Sequence, residues 1–496
     1  MPRYLLGYDI GSSSVKAALL DAESGKCVAV TFSPEKEMQI QSPHPGWAEQ
    51  DPELWWQELI RATQKLHLQI SFNPDEVIAI GISYQMHGLV CVDKNGKVLR
   101  PAIIWCDSRA VKIGAQAFEA LGSDYCLDHY LNSPGNFTAS KLKWVKDNEP
   151  AIFEQIDKVM LPGDYIAYRL TGRIATTVSG LSEGICWDYI TGSYAEKLFS
   201  YYGFDRSIFA DTVPTFGEQG LLSGLAAGEL KLQKGVPVSY RAGDQPNNAY
   251  SLRVLEPGEM ATTAGTSGVV YGVTAHTGPD PLSRVNTFVH VNNEKNKTRN
   301  GVLLCVNGTG SAYSWIRKNM DYASYQEMNE LAGKSPEGAN GLMFFPFGNG
   351  VERVLRNQHV GARLLGLDFN IHGRGDVARV VQEGVAYALR YGLEVMEQMN
   401  MSLKVFRAGH ANMFLSPVFR QVFSNITGAM VEIYDTDGAQ GAARAAGVGA
   451  NYYANYDESF GGLKKLMQIE PDAKVMDEYR MRYLRWKDNL NQFLDQ

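Results

Sequence analysis

The sequence predicts an α/β protein of two domains, each opening on the same strand–turn–strand device. Three observations carry that prediction. The chain has 496 residues, too many for one ordinary core, so two domains of similar size are the default. Strand-like runs and helical stretches recur in both halves of the chain. Two short glycine-hydroxyl turns, far apart, each lie between runs of strand-like composition. One is Asp9-Ile10-Gly11-Ser12-Ser13-Ser14, and the other is Ala264-Gly265-Thr266-Ser267-Gly268. A glycine lets the backbone turn tightly and bring N–H groups close to an anion. Small hydroxyl side chains add donors without blocking that approach. Two such turns, one per half, suggest a duplicated fold gripping a nucleoside triphosphate in a cleft between its domains.

The elements follow in order. Residues 3–9, 15–20 and 27–32 read as three strands, the last two joined through the polar hairpin Asp21–Gly25. Asp51-Pro52-Glu53 is a helix start, with the helix running through Trp55, Leu59 and Ile60. Residues 77–83 form a buried type of strand. Residues 90–93 and 97–99 flank an Asn95-Gly96 turn. The stretch from about 110 to 235 reads as mainly helical. A second strand-rich block begins at Glu259 and repeats the plan of the first. Residues 377–400 are a long amphipathic helix, 405–409 a strand ending at glycine, and 417–426 a helix. Residues 438–449 form an Ala/Gly-rich helix able to pack very closely. The polar amphipathic tail after Asp472 carries Tyr479, Tyr483, Leu484 and Trp486. The expected domains are 1–248 and 249–496, with the helix 472–496 returning to pack on the first domain.

Composition narrows the class. Apolar content of 45% and charged content of 20% are those of a globular protein, and the net charge is −7. That balance argues against a nucleic-acid or membrane-surface partner, where a basic excess is expected. Anionic ligands remain compatible with it, because backbone N–H groups and a metal can hold phosphate. The six cysteines are scattered, without metal-ligand spacing, and read as reduced and mostly buried thiols. With no signal-like N-terminus and no bilayer-spanning apolar run, a cytoplasmic location is expected.

Several segments together resemble the FGGY carbohydrate kinases, which share the actin-like, ribonuclease-H-like ATPase fold. Residues 9–16 are similar to the family's first phosphate loop. Gly46-Trp47-Ala48-Glu49-Gln50-Asp51-Pro52 with Trp55-Trp56, and Lys141-Leu142-Lys143-Trp144-Val145 with Asp147-Asn148, resemble family segments. Gly243-Asp244-Gln245 resembles the catalytic loop, and Gly265-Thr266-Ser267-Gly268 the second phosphate loop. Ala408-Gly409 followed by Phe419-Arg420-Gln421 resembles the adenosine segment. Within the family, Gln85-Met86-His87-Gly88 and Leu99–Trp105 are most similar to the xylulose kinases. Three departures stand out. Gln245 replaces the usual asparagine, the segment 408–417 lacks a double glycine, and Ser424-Asn425 replaces alanine-aspartate.

The resemblance implies roles beside which plainer readings stay open. Asp244 is the expected general base, or else a turn aspartate capping a helix. Asp9 is the expected Mg²⁺ ligand through water, or else a strand-end aspartate in an Asx turn. Lys16 neutralises phosphate or faces solvent from an edge strand. Met86, His87 and Gln245 are expected sugar contacts, with satisfied structural residues as the alternative. Trp105 is a wall for the sugar's carbon face or a core residue. Gly11, Ser12, Ser13, Gly265 and Thr266 are expected on phosphate, and Gly310, Gly409 and Asn412 on the nucleotide. Asp107 and Arg109 read as a structural pair.

The function so implied is ATP- and Mg²⁺-dependent phosphorylation of a ketopentose, D-xylulose first. Other sugars or polyols (ribulose, fuculose, gluconate) and a non-catalytic, actin-like ATP-binding sugar sensor are the alternatives. The expected partners are the sugar and ATP, with no nucleic acid and no membrane, and a homodimer is compatible with the sequence.

Overall fold

The computed structural model describes residues 2–495. It divides into two units. The first comprises residues 1–253, 288–300 and 436–463, and the second residues 254–287, 301–435 and 464–496.

The first unit is built on a six-stranded sheet. Strands β1 (Tyr4–Ile10), β2 (Val15–Asp21) and β3 (Cys27–Ser33) run antiparallel in sequence. Strand β4 (Val77–Tyr84) then joins β1 in parallel, and β6 (Pro237–Gly243) joins β4 in parallel. Strand β5 (Phe216–Leu221) pairs antiparallel with β6, so the sheet order is β5-β6-β4-β1-β2-β3. Helix α1 (Pro52–Gln69) begins where the sequence places it. The Asp51 carboxylate accepts the Glu53 N–H, and proline occupies the first helical turn. Its buried Trp55, Trp56, Leu59 and Leu66 join the core with Leu6, Tyr8 and Ile82. The region 110–235 is a series of short helices interleaved with strands of two or three residues and with β5, so it is less uniformly helical than the sequence suggests.

Helix α6 (Gly438–Gly449), which lies far along the chain, belongs to this first unit. Its alanines and glycines let its backbone lie directly on the sheet. A Cβ built on Gly7 would come within 2.0 Å of the Ala439 carbonyl oxygen, and one on Gly81 within 2.0 Å of that of Ala442. Only glycine on the strands and small residues on the helix permit that approach.

The second unit repeats the plan. Strands β7 (Glu259–Ala264) and β8 (Gly268–Thr274) form an antiparallel hairpin. Beyond β8 lie β10 (Asn300–Val306) and the edge strand β9 (Asn286–Val289). On the other side β11 (Val405–Gly409) and β12 (Met430–Asp435) add in parallel, and β13 (Lys464–Ile469) closes the edge antiparallel. The order is β9-β10-β8-β7-β11-β12-β13. Apart from β9, this is the arrangement of the first sheet: a three-strand meander, two parallel additions and one antiparallel edge. Helix α4 (Arg374–Gln398) is buried along most of its length.

The final helix α7 (Met476–Leu494) differs from expectation. Its Tyr479, Tyr483, Trp486 and Leu490 are buried in the second unit's core, and the Trp486 indole N–H donates to the Phe344 carbonyl at 2.8 Å. The reason is shape and chemistry: Phe345 stacks on Trp486 at 5.0 Å, and the second unit offers the indole its acceptor. The domains are therefore not the two sequential halves expected, because residues 288–300 and 436–463 return to the first unit. No helix among the described residues is long and apolar enough to cross a membrane. None of the six cysteines is disulfide-bonded, and three of them, Cys91, Cys126 and Cys186, are buried.

Candidate active site

Three neighbouring parallel strands of the first sheet end at one level. Ile10 of β1 lies opposite Tyr84 of β4, and Tyr84 lies opposite Gly243 of β6. The residues at and just beyond these ends therefore share one edge: Asp9 with the Gly11 turn, Gln85-Met86-His87, and Asp244-Gln245. The carboxyl edge of parallel strands is where α/β sheets place ligands.

Asp244 opens helix α2 (Asp244–Ser251), directly behind Gly243. Its carboxyl is pushed up to about 7. Burial is the main cause and the negative Asp9 adds to it, while the backbone N–H groups of Gln245 and of Asp244 itself pull the other way. A carboxylate poised near neutrality is well matched to proton transfer at neutral pH. Asp9 is also raised, by burial first and further by Asp437, against the pull of Lys16 and of a hydrogen bond from Ser83 Oγ to Oδ1 at 2.8 Å. Lys16 faces Asp9 across the β1–β2 pair and is exposed. Asp9 thus stands as a negative neighbour that disfavours the ionisation of Asp244.

The Gly11 turn is supported from below. The Gln50 side-chain amide donates to the Ser12 carbonyl at 2.7 Å, and its oxygen accepts the Trp55 indole N–H at 3.0 Å. Gln50 is fully buried. Gly11 and Ser12 are half-buried, and Ser13 is exposed at the tip. Trp105 is 47% exposed, so it is not a core residue, and its indole N–H points to Ser12 Oγ at 3.4 Å.

His87 has φ of 60°, in the left-handed region. Its ring lies edge-on to Phe137 at 4.8 Å, and its Nδ1 bonds the Glu183 carbonyl at 2.9 Å. Met86 is buried beside it, 4% exposed. Lys141 ties this loop to the Trp105 segment, with Nζ donating to the carbonyls of His87 and Ile104, both at 2.9 Å. Burial lowers Lys141 to about 8, with Arg109 adding to the fall and Asp107, Cys106 and Glu183 opposing it. Asp107 and Arg109 are the expected structural pair, joined at 2.7 Å, with Arg109 also on Glu49 at 2.8 Å and over the Trp47 ring at 3.8 Å.

The second turn has a different neighbourhood. Gly265, Thr266, Gly310 and Asn412 line one cavity of about 650 Å³. Gly310 opens helix α3 (Gly310–Asn319), and its N–H donates to the Gly265 carbonyl at 2.8 Å. A Cβ there would lie 2.1 Å from that oxygen, which excludes any other residue. Gly409 ends β11 and is not among the lining residues. Ser311, Ser314, Trp315 and Lys318 of α3, with Tyr325, also line the cavity, and the sequence reading missed them. Their spacing along the helix from Gly310 was the available signal. Glu183, Lys141 and Gln50 were missed as supports too. Lys141 and Gln50 sat inside recognised segments without a role, and Glu183 had no local signature.

Comparison with known proteins identifies the family. The N-terminal domain model of the FGGY family of carbohydrate kinases matches residues 4–250, and its C-terminal domain model matches residues 260–450. The chain belongs to the FGGY family of carbohydrate kinases. It is 31% identical over 487 residues to the xylulose kinase of Escherichia coli K12, covering 96% of each chain. The xylulose kinase of Rhodospirillum rubrum superposes with a TM-score of 0.87 at 25% identity over the full length of both chains. A gluconate kinase from Lactobacillus acidophilus superposes with a TM-score of 0.89 at 20% identity, covering 100% of this chain and 99% of its own, and speaks to the fold alone. The chain is thus a carbohydrate kinase of two-domain FGGY fold. The family implies ATP as the phosphoryl donor.

Proposed function

We propose that the protein transfers the γ-phosphoryl group of ATP to a ketopentose, with D-xylulose as substrate and D-xylulose 5-phosphate as product. The observation that carries this reading is the position of Asp244, poised near neutrality at the strand edge that also bears the Met86–His87 turn. The acceptor hydroxyl attacks the γ-phosphorus in line, Asp244 takes its proton, and the bond to the β-phosphate oxygen breaks to release ADP. Met86, His87 and Gln245 hold the sugar's hydroxyls, and Trp105 covers its carbon face. Gly11, Ser12 and Ser13 on one turn, and Gly265 and Thr266 on the other, hold phosphate oxygens. The cavity beside Asn412 and Gly310 takes the nucleoside.

Asp9 fits a hard cation held through water: its Oδ1 is engaged by Ser83, and Gly438 leaves open the space beside Oδ2, where a Cβ would stand 2.6 Å away. Among the described residues no three His, Cys, Asp or Glu side chains cluster as a metal cage, which suits Mg²⁺ retaining most of its waters. When bound there, Mg²⁺ would offset phosphate charge.

The relatives named xylulose kinase and the Met86-His87 pair favour D-xylulose over other acceptors. A coupled assay of ADP release against D-xylulose, D-ribulose, L-fuculose, gluconate and glycerol tests it. D-xylulose is expected to give the highest kcat/KM. A higher value for another polyol replaces the substrate, and no sugar-dependent ADP release overturns the catalytic reading.

A further inference from the structure

The Met86–His87 turn is gripped by Glu183. This residue ends the short helix Val178–Glu183 and is 2% exposed. Its backbone carbonyl bonds His87 Nδ1 at 2.9 Å. A carbonyl only accepts, so Nδ1 carries the proton, and in the neutral ring Nε2 is left as the acceptor. The Glu183 carboxyl meets the backbone N–H of the same histidine. The left-handed backbone of His87, unfavourable for a side chain with a Cβ, persists where its surroundings over-determine it.

The same carboxyl reaches the catalytic segment. A Cβ built on Gly243 would stand 2.5 Å from Glu183 Oε2 and 2.6 Å from Met86 Cγ. One buried side chain thus fills the space between the loop bearing His87 and the residue before Asp244. The Tyr84 hydroxyl also bears on this carboxyl, so three segments meet at one buried side chain. Burying a carboxyl is costly, and a polar group kept at such cost points to function rather than stability.

We infer that Glu183 is a positioning residue of the sugar subsite, which by holding His87 at both ring and backbone fixes which acceptor hydroxyl the imidazole reads. The inference rests on the proposal that the Met86–His87 turn contacts the sugar. Burial raises the carboxyl well above the usual range, the Tyr84 hydroxyl and the His87 N–H pull it back, and Asp244 and Asp164 add to the rise.

The test is steady-state kinetics on the full chain with D-xylulose, or with the best acceptor in the panel above. Glu183→Asp is one methylene too short to reach the His87 N–H, and Glu183→Leu keeps the bulk but removes both oxygens. Each is expected to raise the sugar KM by about tenfold, the scale of one lost buried hydrogen bond, with the ATP KM within about twofold. Glu183→Gln restores an acceptor of the right length and is expected to bring the sugar KM back to within about threefold of wild type. Adding Glu183→Asp to His87→Ala is expected to cost little beyond His87→Ala alone, because the two act through one contact. A wild-type sugar KM in either folded Asp or Leu variant, while His87→Ala raises it, overturns the inference alone. An unchanged sugar KM in His87→Ala overturns the sugar-contact reading, and the inference with it.

Discussion

The two glycine turns of this protein are topological copies with different chemistry. In the first unit Asp9 pairs with Lys16 across the hairpin; in the second, the same positions before and after the turn are Thr263 and Val269. The first hairpin carries Asp9, whose charge raises the Asp244 carboxyl. The second stands beside a cavity walled by Trp315, Tyr325 and Leu415. The two hairpins thus share the backbone device that turns tightly at glycine, and the side chains around them differ. On the function proposed above, the first is where charge is managed and a proton moved, and the second is a slot for a flat, uncharged group.

The largest test of that division is at Asp244. Asp244→Asn is expected to keep the fold and sugar binding but to lower kcat by roughly 10²- to 10⁴-fold, the range for removing a general base. Near-normal kcat would take Asp244 out of the mechanism and leave the charged half without its function.

Next in size is His87→Ala, expected to raise the sugar KM by roughly 10-fold or more while leaving the ATP KM nearly unchanged. A site built to bond a hydroxyl loses more from an unpaired polar group than from lost apolar contact. If the variant weakens ATP and spares the sugar, the two substrates are assigned to the wrong halves. The complementary variant is Trp315→Ala, on the helix that opens at Gly310. It is 61% exposed at the cavity wall, so its loss costs the fold little. The ATP KM is expected to rise by about 5- to 10-fold, the scale of losing one stacked aromatic surface, with the sugar KM unchanged. An effect on the sugar instead would collapse the distinction between the copies.

Much of this division was legible in the sequence because it is written in local pattern. The hairpin strands at 4–10 and 15–21, the helix start at Asp51-Pro52-Glu53 and both glycine turns follow from short-range chemistry. What was not legible depends on contacts far along the chain. Helix 438–449 was seen as closely packing, but its partner is a sheet whose strands begin over 400 residues earlier, with Gly7 and Gly81 as the notches that receive it. Helix 476–494 carries the right buried face, yet nothing in its own residues says which core will take it. At the site, Asp9, His87 and Asp244 were found at turns with a signature. Glu183 was not, because its role exists only once three distant segments meet. Trp105 could be wall or core on sequence grounds, and its exposure decides against core.

The smallest expected effect concerns stability rather than turnover, and it separates the two copies without any substrate. Asp244 titrates from 3.8 when unfolded to about 7 in the folded protein. Between those values the folded state holds a proton that the unfolded state has released, so stability falls as pH rises through this window and is level above it. Asp244→Asn carries no such proton. The difference in Tm between Asp244→Asn and wild type is therefore expected to grow in the variant's favour from pH 4 to about pH 7, to grow more slowly up to about pH 8, and to level off above that. Comparing differences removes the contributions of other raised carboxyls that both proteins share, apart from Glu183, which Asp244 helps to raise. Thr263→Val, at the position of the second hairpin that corresponds to Asp9, removes no titrating group and is expected to give a Tm difference that is flat over the same range. A flat difference for Asp244→Asn as well would mean that the strand edge of the first unit holds its carboxylate without cost, and the electrostatic contrast between the two units would fall with it.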